Sequence, residues 1–226
     1  MSAPSASLVF RTAVVSLIVQ VVVAGVAGAG FLLKIPAGQK DIVVVLILEF
    51  ASQVIEFLWY LAVVLCVRDI LTWTRYIDWV VSTPLMLLST FMFFYLRRGL
   101  PVADVFVSGD LWPSLALNHL MLVCGFGLEA AVLPRLPSLV VGTGSLVGSF
   151  TFLARALDGT DSVSVTLFWV MFVVWFGYGF AAVLPYEPKN VGYNALDVVS
   201  KNGYSVFLFV YILQYDAWFA RDNAAG

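Results

Sequence analysis

The sequence predicts an all-α membrane protein, a single bundle of seven spanning helices formed by residues 1–226. Three observations predict it. The chain is 62% hydrophobic and only 12% charged, with a mean hydropathy of +0.97, which is too apolar for a soluble domain of this size. Breaks rich in glycine, proline and charge divide it into seven apolar runs, each near the roughly 20 residues that a spanning helix needs. The few polar residues inside those runs recur at helical spacing, so they share faces and belong inside a bundle. The net charge is −2, from 12 basic and 14 acidic residues. No basic block points to nucleic acid. Cys66 and Cys124 both fall in apolar runs and read as buried thiols rather than a disulfide. No cluster suggests a metal, and nothing suggests an enzyme. The opening Met-Ser-Ala-Pro-Ser-Ala-Ser lacks the basic segment of a cleavable signal, so the first run is expected to be a span of the mature protein.

The first run, about 8–34, carries Thr12, Ser16 and Gln20 four residues apart. The second, 41–67, carries Glu49, Gln53, Glu56 and Tyr60 on one face, a stripe covering about 10 Å of depth. The third, 74–97, aligns Arg75, Asp78, Ser82 and Ser89, and contains Pro84. A proline inside a span frees a backbone carbonyl, which Ser82 and Thr83 are placed to satisfy. The fourth, 103–133, opens on Asp104, Asp110 and Pro113, any of which fits an entry loop, and holds the lone His119. The fifth and sixth runs are 136–156 and 162–185. The seventh, 191–218, carries Asn194, Asp197, Lys201 and Tyr204 on one face. With the N-terminus outside and the C-terminus cytoplasmic, Lys34, Lys40, Arg97, Arg98, Arg155 and Arg221 face the cytoplasm, against Arg11, Arg68, Arg135 and Lys189 outside. That excess favours this orientation.

Lys201 is the most informative residue. A lysine in an apolar span is costly and marks function, and a buried amine one helical turn from a carboxylate suggests a reactive lysine that forms a Schiff base. Such an ion needs a carboxylate nearby in a low-dielectric site. Asp78 and Asp197 supply two, and Arg75 balances the second. A purely structural cluster is disfavoured, because buried ion pairs rarely gain stability over apolar packing. Single residues such as Gln20, Thr12 and Ser89 also fit ordinary helix-to-helix bonding. Glu49 and Glu56 also fit neutral structural carboxyls, and His119 fits either the pocket or helix packing.

The run Arg75-Tyr-Ile-Asp-Trp-Val-Val-Ser-Thr-Pro-Leu85 resembles the third-helix signature of microbial rhodopsins, and Leu196-Asp-Val-Val-Ser-Lys201 resembles their seventh helix. The resemblance covers the whole seven-span layout. It implies that Lys201 carries all-trans retinal, that Asp78 is the primary counterion and proton acceptor, and that Asp197 is the second counterion. Trp79 and Thr83 would line the pocket. Trp175-Phe-Gly-Tyr-Gly-Phe180 is similar to the family's Trp-x-x-Tyr-Pro stretch, with Trp175 and Tyr178 against the retinal ring. Gly179 stands where proline is usual, and Ala182 where a second tryptophan is common.

The family contains pumps, channels and photosensors. Asp78 disfavours a chloride pump. Ser89 stands where outward proton pumps commonly carry a carboxylate, so pumping would rely slowly on water. Glu49-Phe-Ala-Ser-Gln-Val-Ile-Glu56 is similar to the second helix of cation-conducting channelrhodopsins, and Asn202 follows the lysine as it does in them. Viral rhodopsins proposed as light-gated cation channels have this short-loop build and resemble the chain most. The expectation is a light-gated channel for monovalent cations, with Ser16, Glu49 and Asn202 as its gate and Gln53, Glu56 and Ser82 lining the path. A carboxyl-lined pore favours cations. The alternative is an outward proton pump. A photosensor is less favoured, since no transducer segment is visible. A multi-pass protein of a cell membrane, for example that of a virus-infected host, is expected, in contact with lipid and able to form homo-oligomers.

Overall fold

A computed structural model describes residues 7–33, 40–66 and 71–224, with side chains through Gln214. Lys34 and Arg68 lie outside the described residues, and Arg221 is described by its backbone alone. The elements are α1 (Leu8–Gly30), α2 (Asp41–Cys66), α3 (Arg75–Arg97), α4 (Leu111–Glu129), α5 (Arg135–Arg155), α6 (Ser162–Ala182), α7 (Tyr186–Asp197) and α8 (Gly203–Ala224). A π-turn over Val198–Asn202 joins α7 to α8, so the two form one span from Tyr186 to Gln214. Seven helices among the described residues are long and apolar enough to cross a membrane.

Each helix turns its polar stripe inward. Glu49, Gln53, Glu56 and Tyr60 are all fully buried, while Ile47, Leu58 and Leu65 on the same helix are exposed. In a bilayer the exposed apolar side meets lipid, and the polar residues must find one another. Small residues let neighbours approach. Between α4 and α5, Ser114 and Ser149 each donate to the other's backbone carbonyl at 2.9 Å. Helix ends follow ordinary capping chemistry: Asp161 accepts from the amides of Val163 and Ser164 at the start of α6, and Gly99 leaves α3 at φ 68°.

Three sequence expectations shift. The fourth span begins at Leu111 rather than 103, because residues Val102–Val107 form a 3-10 turn and Pro113 falls in the first helical turn, where no hydrogen bond is lost. The seventh begins five residues before the expected 191, for the same reason: Pro188 lies in the first turn of α7. Cys66 is exposed, and only Cys124 is buried.

Candidate functional site

Three carboxyl groups and two cations meet in the middle of the bundle. The third, second and seventh spans bring Asp78, Glu56 and Asp197 to Lys201 and Arg75, and all five side chains are buried. Lys201 Nζ donates to Asp78 Oδ2 and lies 3.8 Å from Glu56 Oε1. The spacing of four between Asp197 and Lys201 puts both on one face, yet Asp197 pairs with Arg75 instead, at 3.2 Å.

Asp197 is held from every side. Its Oδ2 accepts from Tyr60 at 2.7 Å and from Arg75, and its Oδ1 accepts from Tyr178 at 2.8 Å and Trp79 at 3.3 Å. Four donors make it a fixed anion. Asp78 Oδ1 and both oxygens of Glu56, in contrast, have no hydrogen-bond partner among the described residues.

From Lys201 an apolar cavity runs between α3, α4, α5 and α6, with about 810 Å³ of empty space, its open mouth included. Trp79, Thr83, Trp175 and Tyr178 line it, joined by Tyr76, Met86, Met121, Leu146 and Tyr193. A side chain at Gly125 would meet the Tyr76 ring, while none of the described atoms lies near a side chain built at Gly179. Gly179, where the family usually has proline, is exposed and borders the cavity with open space beside it. A long apolar slot with one amine at its end has the chemistry to hold an extended polyene aldehyde such as retinal, and the lining residues fit it.

On the other side of Lys201 the polar residues of α1, α2 and α8 continue. Ser205 donates to Glu49 Oε1 at 2.8 Å. Gln20, Gln53, Ser82 and Asn202 are buried, and their side-chain polar atoms have no hydrogen-bond partner among the described residues. The expected Ser16–Glu49–Asn202 hydrogen bonds are not formed. Ser16 donates to the Asn194 carbonyl at 3.2 Å, nearer the Arg75 end, and Ser205 takes the place expected of Asn202. Thr83 donates to the Trp79 carbonyl at 2.8 Å, and Ser89 to that of Met86 at 2.9 Å.

Several site residues escaped the sequence reading. Tyr60 and Asn194 were visible only as stripe members, and Asn190 lay in what read as a break. Asn118 donates to Thr83 Oγ1 at 2.9 Å, while its neighbour His119 points outward, against the Leu115 carbonyl, and takes no part in the pocket. A polar residue in an apolar span was the available signal, and it pointed to both positions equally.

A profile of bacteriorhodopsin-like proteins matches residues 11–215. No curated protein matches the sequence. Among solved structures, the viral rhodopsin OLPVRII superimposes with a TM-score of 0.85 at 22% identity, covering 92% of this chain and 99% of its own. A blue light-absorbing proteorhodopsin from Med12 gives 0.72 at 20%, covering 91% and 98%. The light-driven proton pump LR (Mac) from Leptosphaeria maculans gives 0.71 at 15%, covering 92% and 96%. At these identities the structures establish the fold. The profile, with the buried lysine at the end of an apolar slot, establishes more: the chain belongs to the bacteriorhodopsin-like family, multi-pass membrane proteins that carry retinal on a lysine and generally act as photoreceptors or transporters.

Proposed function

We propose that the protein is a light-gated channel for monovalent cations, with all-trans retinal on Lys201. The observation that carries this reading is the buried column of Glu56, Gln53 and Glu49 on α2, bonded at Glu49 by Ser205 of the seventh span, where Asn202 is also buried and has no hydrogen-bond partner among the described residues. Buried polar groups without protein partners are costly unless water or ions satisfy them, and carboxyl and amide oxygens suit cations. Retinal, when bound, absorbs visible light and changes shape. The chain's own residues do the rest. Asp78 takes the proton held at Lys201 Nζ. Charge balance supports a neutral Glu56: Lys201 and Arg75 already match Asp78 and Asp197, and a third carboxylate would leave the buried set at −1. Once the Lys201–Asp78 hydrogen bond is broken, α8 is free to shift, Ser205 parts from Glu49, and the column opens to water and cations. The barrier is therefore Glu49 held by Ser205, lined by Gln53 and Asn202. Ser16 bonds outside it.

An outward proton pump keeps one observation in its favour. Glu49 is a buried carboxyl between Lys201 and the Arg97 end of the bundle, where it would return a proton in place of the carboxylate missing at Ser89. Currents under illumination separate the two. A channel current reverses with voltage and follows the cation gradient, and Glu49→Ala changes its size, selectivity or dark leak. A current that keeps one direction at all voltages would sink the channel reading.

A further inference from the structure

Arg75 is buried with every donor engaged. A guanidinium offers five N–H groups, and here five acceptors receive them. Nε donates to Asn190 Oδ1 at 3.3 Å. Nη1 donates to Tyr60 Oη at 3.3 Å and Asp197 Oδ2 at 3.2 Å. Nη2 donates to the Asn190 carbonyl at 3.4 Å and to Asn194 Oδ1. The rings of Trp59 and Tyr193 lie 5.0 and 5.6 Å from Cζ, within cation–π range.

Two of these partners, Asn190 and Asn194, are uncharged, sit one turn apart on α7, and are themselves fixed. Asn190 Nδ2 donates to Thr72 Oγ1 and the Tyr186 carbonyl, both at 2.9 Å. Asn194 Nδ2 donates to Thr12 Oγ1 at 2.7 Å and the Val9 carbonyl at 3.2 Å. These bonds spend the amide nitrogens on α1, on the turn before α3 and on the first turn of α7, which turns both amide oxygens toward Arg75. To swing away, the guanidinium must break charge-assisted bonds to partners that cannot follow it.

We infer that Asn190 and Asn194 are positioning residues that, in the dark, hold Arg75 as a fixed cationic wall, so that before illumination Lys201, Asp78 and Glu56 exchange protons with bulk water past Gln53 and Glu49 and not past Arg75. A fixed buried cation repels hydronium and metal cations alike. Beyond Lys201 in the other direction lie amides and carboxyls, and the cation at that mouth, Arg97, is neutralised by a bidentate pair with Asp161. The groups facing Lys201 and the wall are Asp78, Glu56, Asp197, Tyr60, Tyr178 and Tyr193, and those with hydroxyls donating to Asp197 add no route outward. The inference rests on the proposed reading only in taking Lys201 as the residue that bears retinal. It does not need the protein to conduct.

The test uses the retinal-loaded protein in sealed vesicles sorted into the two orientations. The external pH is stepped in the dark, and the visible band is followed in time. In the unmodified chain the band is expected to respond at least ten-fold faster to steps on the Glu49 side than on the Arg75 side. Asn190→Leu and Asn194→Leu should each erase that asymmetry, and Asn190→Asp, which keeps an acceptor oxygen, should retain it. Equal rates from both sides in the unmodified chain overturn the inference, as does an asymmetry that survives in both leucine variants. If Asn194→Leu forms no pigment, Asn190→Leu, which leaves the α1 contacts intact, decides alone. A pigment that carries no current removes the channel reading and leaves this result standing. An intact chain that forms no visible band overturns both.

Discussion

The two halves of the bundle on either side of Lys201 use the same kinds of residue to opposite ends. Toward Arg75, Tyr60, Asn190, Asn194 and Asp197 hydrogen-bond to one another and to the guanidinium, and few donors are left over. Toward Glu49, the side-chain amides of Gln20, Gln53 and Asn202 are just as buried but have no protein partner among the described residues. Burial alone therefore says little about a polar group in a membrane bundle. A saturated network is rigid and excludes water, and an unsaturated one invites it. The first half reads as a wall and the second as a path.

The largest expected effect falls on the residue between them. Lys201→Ala should abolish the visible band of the retinal-loaded protein completely, and a band that survives would remove the premise that the two halves meet at a chromophore. Next comes the wall. Arg75→Leu strips Asp197 of its only ion-pair partner among the described residues and should cost about 3–5 kcal/mol, read as a lower melting temperature of the visible band. A change below about 1 kcal/mol would mean that the network is not rigid in the sense argued.

The far mouth of the path gives a smaller effect. There Asp161, at the head of α6, binds Arg97 with both oxygens at 2.9 and 2.6 Å. Burial pushes its carboxyl up, but Arg97, the Ser164 hydroxyl and the α6 amides outweigh this and hold it at about 2, below the ordinary 3.8. The folded value is depressed, so the stabilisation is complete above 3.8 and fades as pH falls through about 2. Asp161→Ala should cost about 1 kcal/mol through the missing cap and a partly screened ion pair, and the difference from the unmodified chain should vanish at the acid end of that window. A difference constant from neutral pH to pH 2 would assign the loss to packing. The smallest effect is on the path itself. Gln53→Leu removes a buried amide that has no hydrogen-bond partner among the described residues, so stability should change by less than about 1 kcal/mol or rise, while conductance falls. A large destabilisation would show that Gln53 belongs to a satisfied network, and the contrast between the halves would weaken.

The seven spans and the inward faces were legible from spacing, because a membrane helix has little choice about where its few polar residues point. Charge balance grouped Lys201, Arg75, Asp78 and Asp197, but which carboxylate meets which cation was not legible: the spacing of four put Asp197 beside Lys201, and the structure pairs Lys201 with Asp78 and Asp197 with Arg75. What was not legible depends on vertical register between helices. Ser16 was expected beside Glu49, yet α1 and α7 align so that Ser16 meets Asn194. Asn190 was missed because Pro188 read as a break, although a proline in a first helical turn breaks nothing. Asn118 and His119 differ only by rotation: one residue is about 100° of helix, which turned the first to Thr83 and the second to the outside.

The π-turn at Val198–Asn202 sets that rotation for the seventh span. Gly203 donates back to the Val198 carbonyl, five residues earlier, so this turn holds one residue more than an ordinary one. With a regular α-turn there, everything after Lys201 would be clocked by about 100° against everything before it, and Ser205 would leave Glu49 while Asp197 stayed with Arg75. The extra residue acts as a gear between two shafts. It lets the half facing the wall and the half facing the path keep separate partners on one continuous helix, and loss of a single residue from that turn would put one half out of mesh without touching the other.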